Sequence, residues 1–321
     1  MTTRAIPASS ANLLAAIGQT PLVRLSTELP VQIYAKLEYL NPGGSLKDRA
    51  ALYMVEEAER LGLLAEHGTI VEASSGNQGI ALAMIGALKG YSVVICCPQR
   101  TSREKLATMR AYGAHVHVCP EMEELDHPEG YHALAGRLAQ EIPGAWRPNQ
   151  YFNTANAAAH YQTTGPEIWS QTEGRVTHCV LGMGSCGSVT GIGRYLKERN
   201  RAIQIIGVDA ANSFLSTSGR PQLYRAEGIG VDVLSDNLDL NVIDQVVPVQ
   251  DEEAFASTRR LARCGYLVGI SSGAVMHAAL EHAVGLNSDH LMVVLFADSG
   301  RAYLSKVFEE ESRMATVEQH A

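Results

Sequence analysis

The segment Asn41-Pro42-Gly43-Gly44-Ser45-Leu46-Lys47-Asp48-Arg49 decides the reading of this chain, because it joins a strand-like run to a helix-like run through a glycine turn. Residues 31–37 (VQIYAKL) alternate as a strand does, and apolar residues at 46, 50, 51, 54, 55 and 58 recur at helical spacing. Lys47 therefore opens a helix. Its ammonium faces the positive end of the helix dipole, and partial burial further disfavours its charge, so the free amine becomes easier to obtain. An amine of this kind can condense with an aldehyde cofactor such as pyridoxal phosphate. The plain alternative is a surface lysine in a charge cluster with Asp48 and Arg49. The other motifs of the chain weigh against it.

At 321 residues the chain exceeds what one hydrophobic core usually serves, so two domains are expected. Charged residues make up 19% and hydrophobic residues 46%, and the net charge of -8 is spread without long acidic or basic blocks. That distribution argues against nucleic acid or an anionic membrane as partner and leaves small molecules as ligands. No apolar stretch approaches the roughly 18 to 20 residues of a membrane helix, and residues 1–10 lack the segments of a signal peptide, so a cytoplasmic protein is expected. The cysteines at 96, 97, 119, 179, 186 and 264 form no CxxC pair and read as buried apolar fillers. His115 and His117 share one face of a strand, but nothing nearby completes a metal site, so no metal is expected.

Apolar strand-like runs at 69–72, 92–97, 115–118, 177–181, 203–209, 245–249 and 291–296 alternate with helical patterns at 79–88, 102–112, 131–141, 189–200, 252–264, 274–284 and 302–310. This is the pattern of an α/β protein with mostly parallel sheets wrapped by helices. The least regular stretches are 120–130 and 212–241. The second surrounds Glu227-Gly228-Ile229-Gly230, whose glycines permit close approach of backbone to a ligand.

Three polar turns carry the chemistry. Gly182-Met183-Gly184-Ser185-Cys186-Gly187-Ser188 follows a strand and opens a helix, so its N–H groups and hydroxyls can surround a phosphate. Its glycines also satisfy GxGxxG, and Asp209 ends the next strand where a dinucleotide fold places its ribose acid, so a dinucleotide-dependent oxidoreductase stays open. Glu72-Ala73-Ser74-Ser75-Gly76-Asn77-Gln78-Gly79 repeats the arrangement with polar groups around a glycine, a nest suited to a carboxylate, or else a set of helix caps. Gly269-Ile270-Ser271-Ser272-Gly273-Ala274 is a third polar turn, which on its own reads as a cap.

Together these segments resemble the fold-type-II pyridoxal-phosphate enzymes, specifically the cysteine synthase and cystathionine β-synthase family. The resemblance runs from Ile17-Gly18-Gln19-Thr20-Pro21-Leu22-Val23 to Asp298-Ser299-Gly300-Arg301-Ala302-Tyr303-Leu304-Ser305-Lys306. Residues 127–169 and the final segment look more like the cystathionine β-synthase branch. The resemblance implies that Lys47 is the cofactor lysine and that Gly184, Ser185, Cys186, Gly187 and Ser188 hold the phosphate. It further implies that Ser271 faces the pyridine nitrogen and that Asn77 contacts the cofactor hydroxyl. Ser74, Ser75, Asn77, Gln78, Gln150 and Gly228 are implied to bind the amino-acid substrate.

The implied architecture is two three-layer α/β/α domains, a smaller mobile one over 41–152 and a larger phosphate-binding one over 1–40 plus 153–321, in a homodimer. The implied reaction is β-replacement on L-serine or its O-acetyl or O-phospho ester with a thiol, with an amine nucleophile as alternative. Four positions depart from the family pattern: Ala73 for proline, Gln78 for threonine, Cys186 for glycine, and Val231-Asp232-Val233 for an aromatic-Asp-Phe sequence. Gln78 and Val231 are expected to reshape the pocket on the side of the second substrate. Haem or adenosyl regulation is not expected.

Overall fold

Strand and helix alternate through residues 12–120 and 127–309, which are the residues described by the computed structural model of the chain. The expectations for residues 1–10, for 121–126 and for residue 310 fall outside them. The first part of the chain gives β1 (Leu22–Arg24), β2 (Gln32–Leu37), α1 (Lys47–Arg60), β3 (Thr69–Ala73) and α2 (Asn77–Lys89). Then come β4 (Ser92–Pro98), α3 (Arg103–Ala111), β5 (His115–Cys119), α4 (Tyr131–Glu141) and β6 (Ala145–Trp146). Two short helices, α5 (Ala155–Gln162) and α6 (Thr164–Gln171), lead into β7 (His178–Gly182), α7 (Gly187–Arg199), β8 (Gln204–Ala210) and β9 (Gln245–Val249). The last elements are α8 (Asp251–Arg263), α9 (Ile270–Ala283) and β10 (Leu291–Phe296).

The strands form a six-stranded sheet in the order β1-β2-β10-β7-β8-β9 and a four-stranded sheet in the order β5-β4-β3-β6. Every pairing is parallel except that of β1 with β2. Parallel strands are covered on both faces and so read as continuous apolar runs. β10, LMVVLF, is buried throughout, as is β4 after its first residue. α2 buries every residue from Gln78 to Gly86, as expected of a helix apolar on nearly all sides. The α/β class expected from the sequence is the one adopted. Two features differ. β1, β6, α5 and α6 have no counterpart among the expected elements, and the helix expected over 302–310 is instead a 3₁₀ turn (Gly300–Tyr303) followed by a π-type turn (Leu304–Phe308).

A buried ionic network locks α1 in place. Arg49 Nε donates to Glu38 Oε2 at 2.7 Å and its Nη1 to Glu167 Oε1 at 2.6 Å. Lys36 Nζ donates to Glu167 Oε2 at 2.6 Å, to the Thr20 carbonyl at 2.7 Å and to Gln171 Oε1 at 2.9 Å, using all three of its donors. Burial alone would raise the Glu167 carboxyl pKa, but Arg49 and Lys36 outweigh that and hold it at about 2. Removing one partner strands the others without compensation. Glu167→Gln should therefore lower unfolding free energy by about 3 kcal/mol, measured by urea denaturation. Because the folded pKa is depressed, this stabilisation is present above the ordinary carboxylate range. It should fade as pH falls from 4.5 toward 2 in the wild type, with that component absent from the variant.

Candidate active site

In open parallel sheets the chain reverses its strand order at one place, and the carboxyl ends of the strands beside it leave a crevice. From β7 the chain moves outward to β8 and β9 and then returns to place β10 on the other side of β7. Gly182 at the end of β7, and Leu295 and Ala297 at the end of β10, line the resulting cleft, which spans about 360 Å³ including its open mouth. Leu46, Lys47, Gly184, Ser185, Cys186, Ser188, Gly228, Ser271 and Val275 complete its lining.

Lys47 is the first residue of α1, as expected, and the helix carries it into the cleft. The neighbouring turn is tied down by Asp48, whose Oδ2 accepts the Gly43 N–H at 2.6 Å. Desolvation lowers the pKa of the Lys47 amine, and the partial opposition of Asp298 and Cys186 does not cancel it. The Lys47 ammonium has no ion-pair partner among the described residues. Its amine is thus poised to be neutral and nucleophilic.

The turn over 184–188 faces Lys47 across the cleft and runs into the N-terminus of α7. Cys186 is its N-cap at φ 63°, a left-handed conformation natural to glycine, and its thiol packs inward, 2% exposed. A Cβ on Gly187 would come within 2.1 Å of Asn156 Oδ1. Asn156 in turn donates to the Gln150 carbonyl at 2.9 Å and to Ser185 Oγ at 3.1 Å, so one buried amide shapes the turn from behind. Ser271 lies in the first turn of α9, and a Cβ on Gly228, at φ 87°, would sit 3.2 Å from its hydroxyl.

Of the 228–233 segment only Gly228 lines the cleft. Val231 does not border it: the side chain is fully buried in a hydrophobic cluster, and its N–H donates to Asp209 at 2.8 Å. The expectation that Val231 shapes the pocket is corrected accordingly. Asp209 is fully buried and also accepts the hydroxyls of Ser213 and Ser216, so it serves the loop rather than a ribose.

The 74–78 loop leaves the end of β3 on the smaller sheet and lies outside the lining of this cleft. Ser74 Oγ accepts the Gly76 and Gly79 N–H groups at 3.1 and 3.0 Å, which is the capping role, and leaves its hydroxyl hydrogen for a ligand. Ser75 is exposed. Asn77 Nδ2 donates across to Asp298 Oδ2 at 2.6 Å. Gln78 is 1% exposed, and neither end of its amide has a partner among the described residues. Gln150 is buried after β6, its carbonyl held by Asn156 and Asn237.

Asp298, unassigned by the sequence reading, binds both sides. Its Oδ2 also accepts the Tyr303 hydroxyl, and burial raises its pKa. Glu227 pairs with Lys105 at 2.7 Å and with Lys306, joining α3 to the turn over Leu304–Phe308. The only sequence signal for these residues was their place within long matching segments.

Residues 13–298 match the family described as pyridoxal-phosphate dependent enzyme. The chain belongs to this family. It is 43% identical over 309 residues to cystathionine beta-synthase of Apis mellifera, covering 93% of this chain and 61% of that protein. The chain thus spans less than two thirds of that relative's length. It is 41% identical over 302 residues to a probable cysteine synthase of Bacillus subtilis, covering 92% of this chain and 96% of that one. The crystal structure of an O-acetylserine dependent cystathionine beta-synthase from Helicobacter pylori superposes with a TM-score of 0.86 at 39% identity, covering 93% of this chain and 99% of that chain. These matches favour pyridoxal phosphate over the dinucleotide alternative.

The residues fit that cofactor: a desolvated primary amine, a turn of N–H groups and hydroxyls with no room for a Cβ at Gly187, and the Ser271 hydroxyl serve one crevice. Gly187→Val should displace Asn156 and disorder the turn. The purified variant should carry at most about a tenth of the wild-type cofactor by absorbance, at a far smaller loss of thermal stability.

Proposed function

We propose that the protein catalyses β-replacement on L-serine, O-acetyl-L-serine or O-phospho-L-serine with a thiol nucleophile, yielding cystathionine or cysteine. The observation that carries this reading is Lys47, a desolvated amine without an ion-pair partner among the described residues, in one cleft with the 184–188 turn and Ser271. Bound pyridoxal phosphate supplies the electron sink that makes the α-proton of an amino acid removable. Lys47 would anchor the cofactor, then take the α-proton at Nζ as the β-substituent departs, and return a proton after the thiol has added at the β-carbon. The N–H groups and hydroxyls of 184–188 would hold the cofactor phosphate at the α7 N-terminus. The Ser271 hydroxyl would serve the ring nitrogen as a neutral partner, which would not enforce protonation as a carboxylate does. Ser74, Ser75, Asn77, Gln78 and Gln150 would bind the substrate carboxylate, and Gly228, without a side chain, would leave room for the cofactor.

In this reading residues 41–152 are the smaller unit that brings the carboxylate loop to the cleft, and the enzyme works as a cytoplasmic homodimer. An amine nucleophile giving a diaminopropionate-type product is the second reading. It is favoured by Gln78, whose buried, unpaired amide offers a donor and an acceptor where the family has threonine.

Lys47→Ala should lose turnover and the visible absorption of the bound cofactor together. Retention of full activity would refute the assignment. A matrix of the three donors against sulfide, homocysteine and a small amine identifies the substrates. Gln78→Thr should shift the preference among nucleophiles by about tenfold or more, with the donor half-reaction changed less, as followed by stopped-flow absorbance.

A further inference from the structure

The smaller sheet has a reversal point of its own. From β3 the chain moves outward to β4 and β5, then returns to place β6 on the other side of β3. The segments leaving β3 and β6, residues 74–78 and 147–150, therefore emerge from adjacent strand ends.

Glu72, the residue before the last of β3, ties the second of these segments to the strand from which the first one leaves. One carboxylate oxygen accepts the Ala73 N–H at 3.0 Å and the other the Asn149 N–H at 2.7 Å, and the Gln150 N–H donates to the same carboxylate. Asn149 stands at φ 51°, in the left-handed region that asparagine enters more readily than most residues with a side chain. Glu72 is 1% exposed and has no ion pair among the described residues, so the charge of Arg147 and the three backbone donors together compensate its burial.

We propose that Glu72 is a positioning residue: by accepting the Asn149 and Gln150 N–H groups it ties the 147–150 segment to the strand that carries the 74–78 loop, and so sets the spacing at which that loop and Gln150 close on one amino-acid carboxylate. This rests on the β-replacement reading in taking those segments as the clamp.

The groups that face Glu72 are Arg147 at the exit of β6, Cys96 on β4 and Tyr151 beyond the turn. Arg147 is faced in turn by His132 on α4. Burial pushes the Glu72 pKa up to about 7, against the pull of Arg147 and the N–H donors. Ionised, the carboxylate accepts the Asn149 and Gln150 N–H groups together with that of Ala73. Protonated, it gives up acceptor capacity, and the clamp loosens as pH falls through that range.

The test uses holoenzyme of the wild type, Glu72→Gln, Gln150→Ala and the double variant, titrated with L-serine and O-acetyl-L-serine and followed by cofactor absorbance and steady-state rates. Glu72→Gln should raise the donor KM about tenfold, leave kcat within about twofold and leave the nucleophile KM unchanged. The double variant should bind donor no worse than Gln150→Ala, because Glu72 acts through Gln150. Wild-type donor KM should rise as pH is lowered from about 8 to about 6, and the rise should be absent from Glu72→Gln. If Glu72→Gln fails to fold, Glu72→Asp, with its charge kept but drawn back one methylene, should show the KM effect, and the wild-type pH series needs no variant.

An unchanged donor KM in a wild type that responds to donor would overturn the inference alone. So would additive effects of the two substitutions, or a parallel fall in kcat, cofactor content and thermal stability. No response to either donor in the wild type would remove the β-replacement reading and this inference with it.

Discussion

The buried network of Lys36, Glu38, Arg49 and Glu167 is the constraint on which the geometry of the cleft depends. It joins β2, the turn that follows it, α1 and α6, with Thr20 and the Gln19 N–H drawn in from the first part of the chain. Two cations and two anions removed from water hold only if every donor and acceptor is met, so the network tolerates one arrangement of these segments and penalises others. Arg49 lies two residues beyond Lys47 on the same helix. The direction in which Lys47 enters the cleft is therefore set by charges far more tightly bound than the lysine itself. The amine remains available because Asp298, the carboxylate that acts on it, is already engaged by Asn77 and the Tyr303 hydroxyl.

The site is built from two crevices of the same origin. Each sheet reverses its strand order once, and each reversal leaves polar turns at adjacent carboxyl ends. The larger sheet contributes a phosphate-type turn and the entry of Lys47, the smaller one a nest of hydroxyls and amides. Polar contacts hold the two together: Asn77 with Asp298, Ser102 with the Ala302 carbonyl at 2.7 Å, Glu104 with Ser305, and Glu227 with Lys105 and Lys306. The apolar clusters of the two sheets are separate, and these hydrogen bonds and ion pairs cross between them.

The strands of both sheets were legible because parallel strands covered on two faces are written as unbroken apolar runs. Lys47, the 184–188 turn and Ser271 were legible because each follows or opens such an element with glycine or hydroxyl residues. The missed elements have physical reasons. β1 and β6 are three and two residues long, too short for any periodicity, and α6 carries Gly165-Pro166 near its start, which reads as a turn. Val231 was misread because a segment with two glycines at a ligand site does not reveal which of its side chains turns into the core. Glu72 and Asp298 were invisible as partners, since a carboxylate within a strand run carries no sign of whose N–H groups it will accept.

Five of the six cysteines are buried, and burial raises the thiol pKa of each: to about 11 for Cys97, to about 12 for Cys96, Cys179 and Cys186, and upward also for Cys119. They stay protonated and enclosed at neutral pH, and reagents that need a thiolate pass them by. Cys264, exposed at the carboxyl end of α8, is the exception. The unmodified chain thus offers a single attachment point for a maleimide dye or spin label on the larger sheet's outer layer. A second cysteine introduced on α3 would turn it into a ruler for the separation of the two sheets.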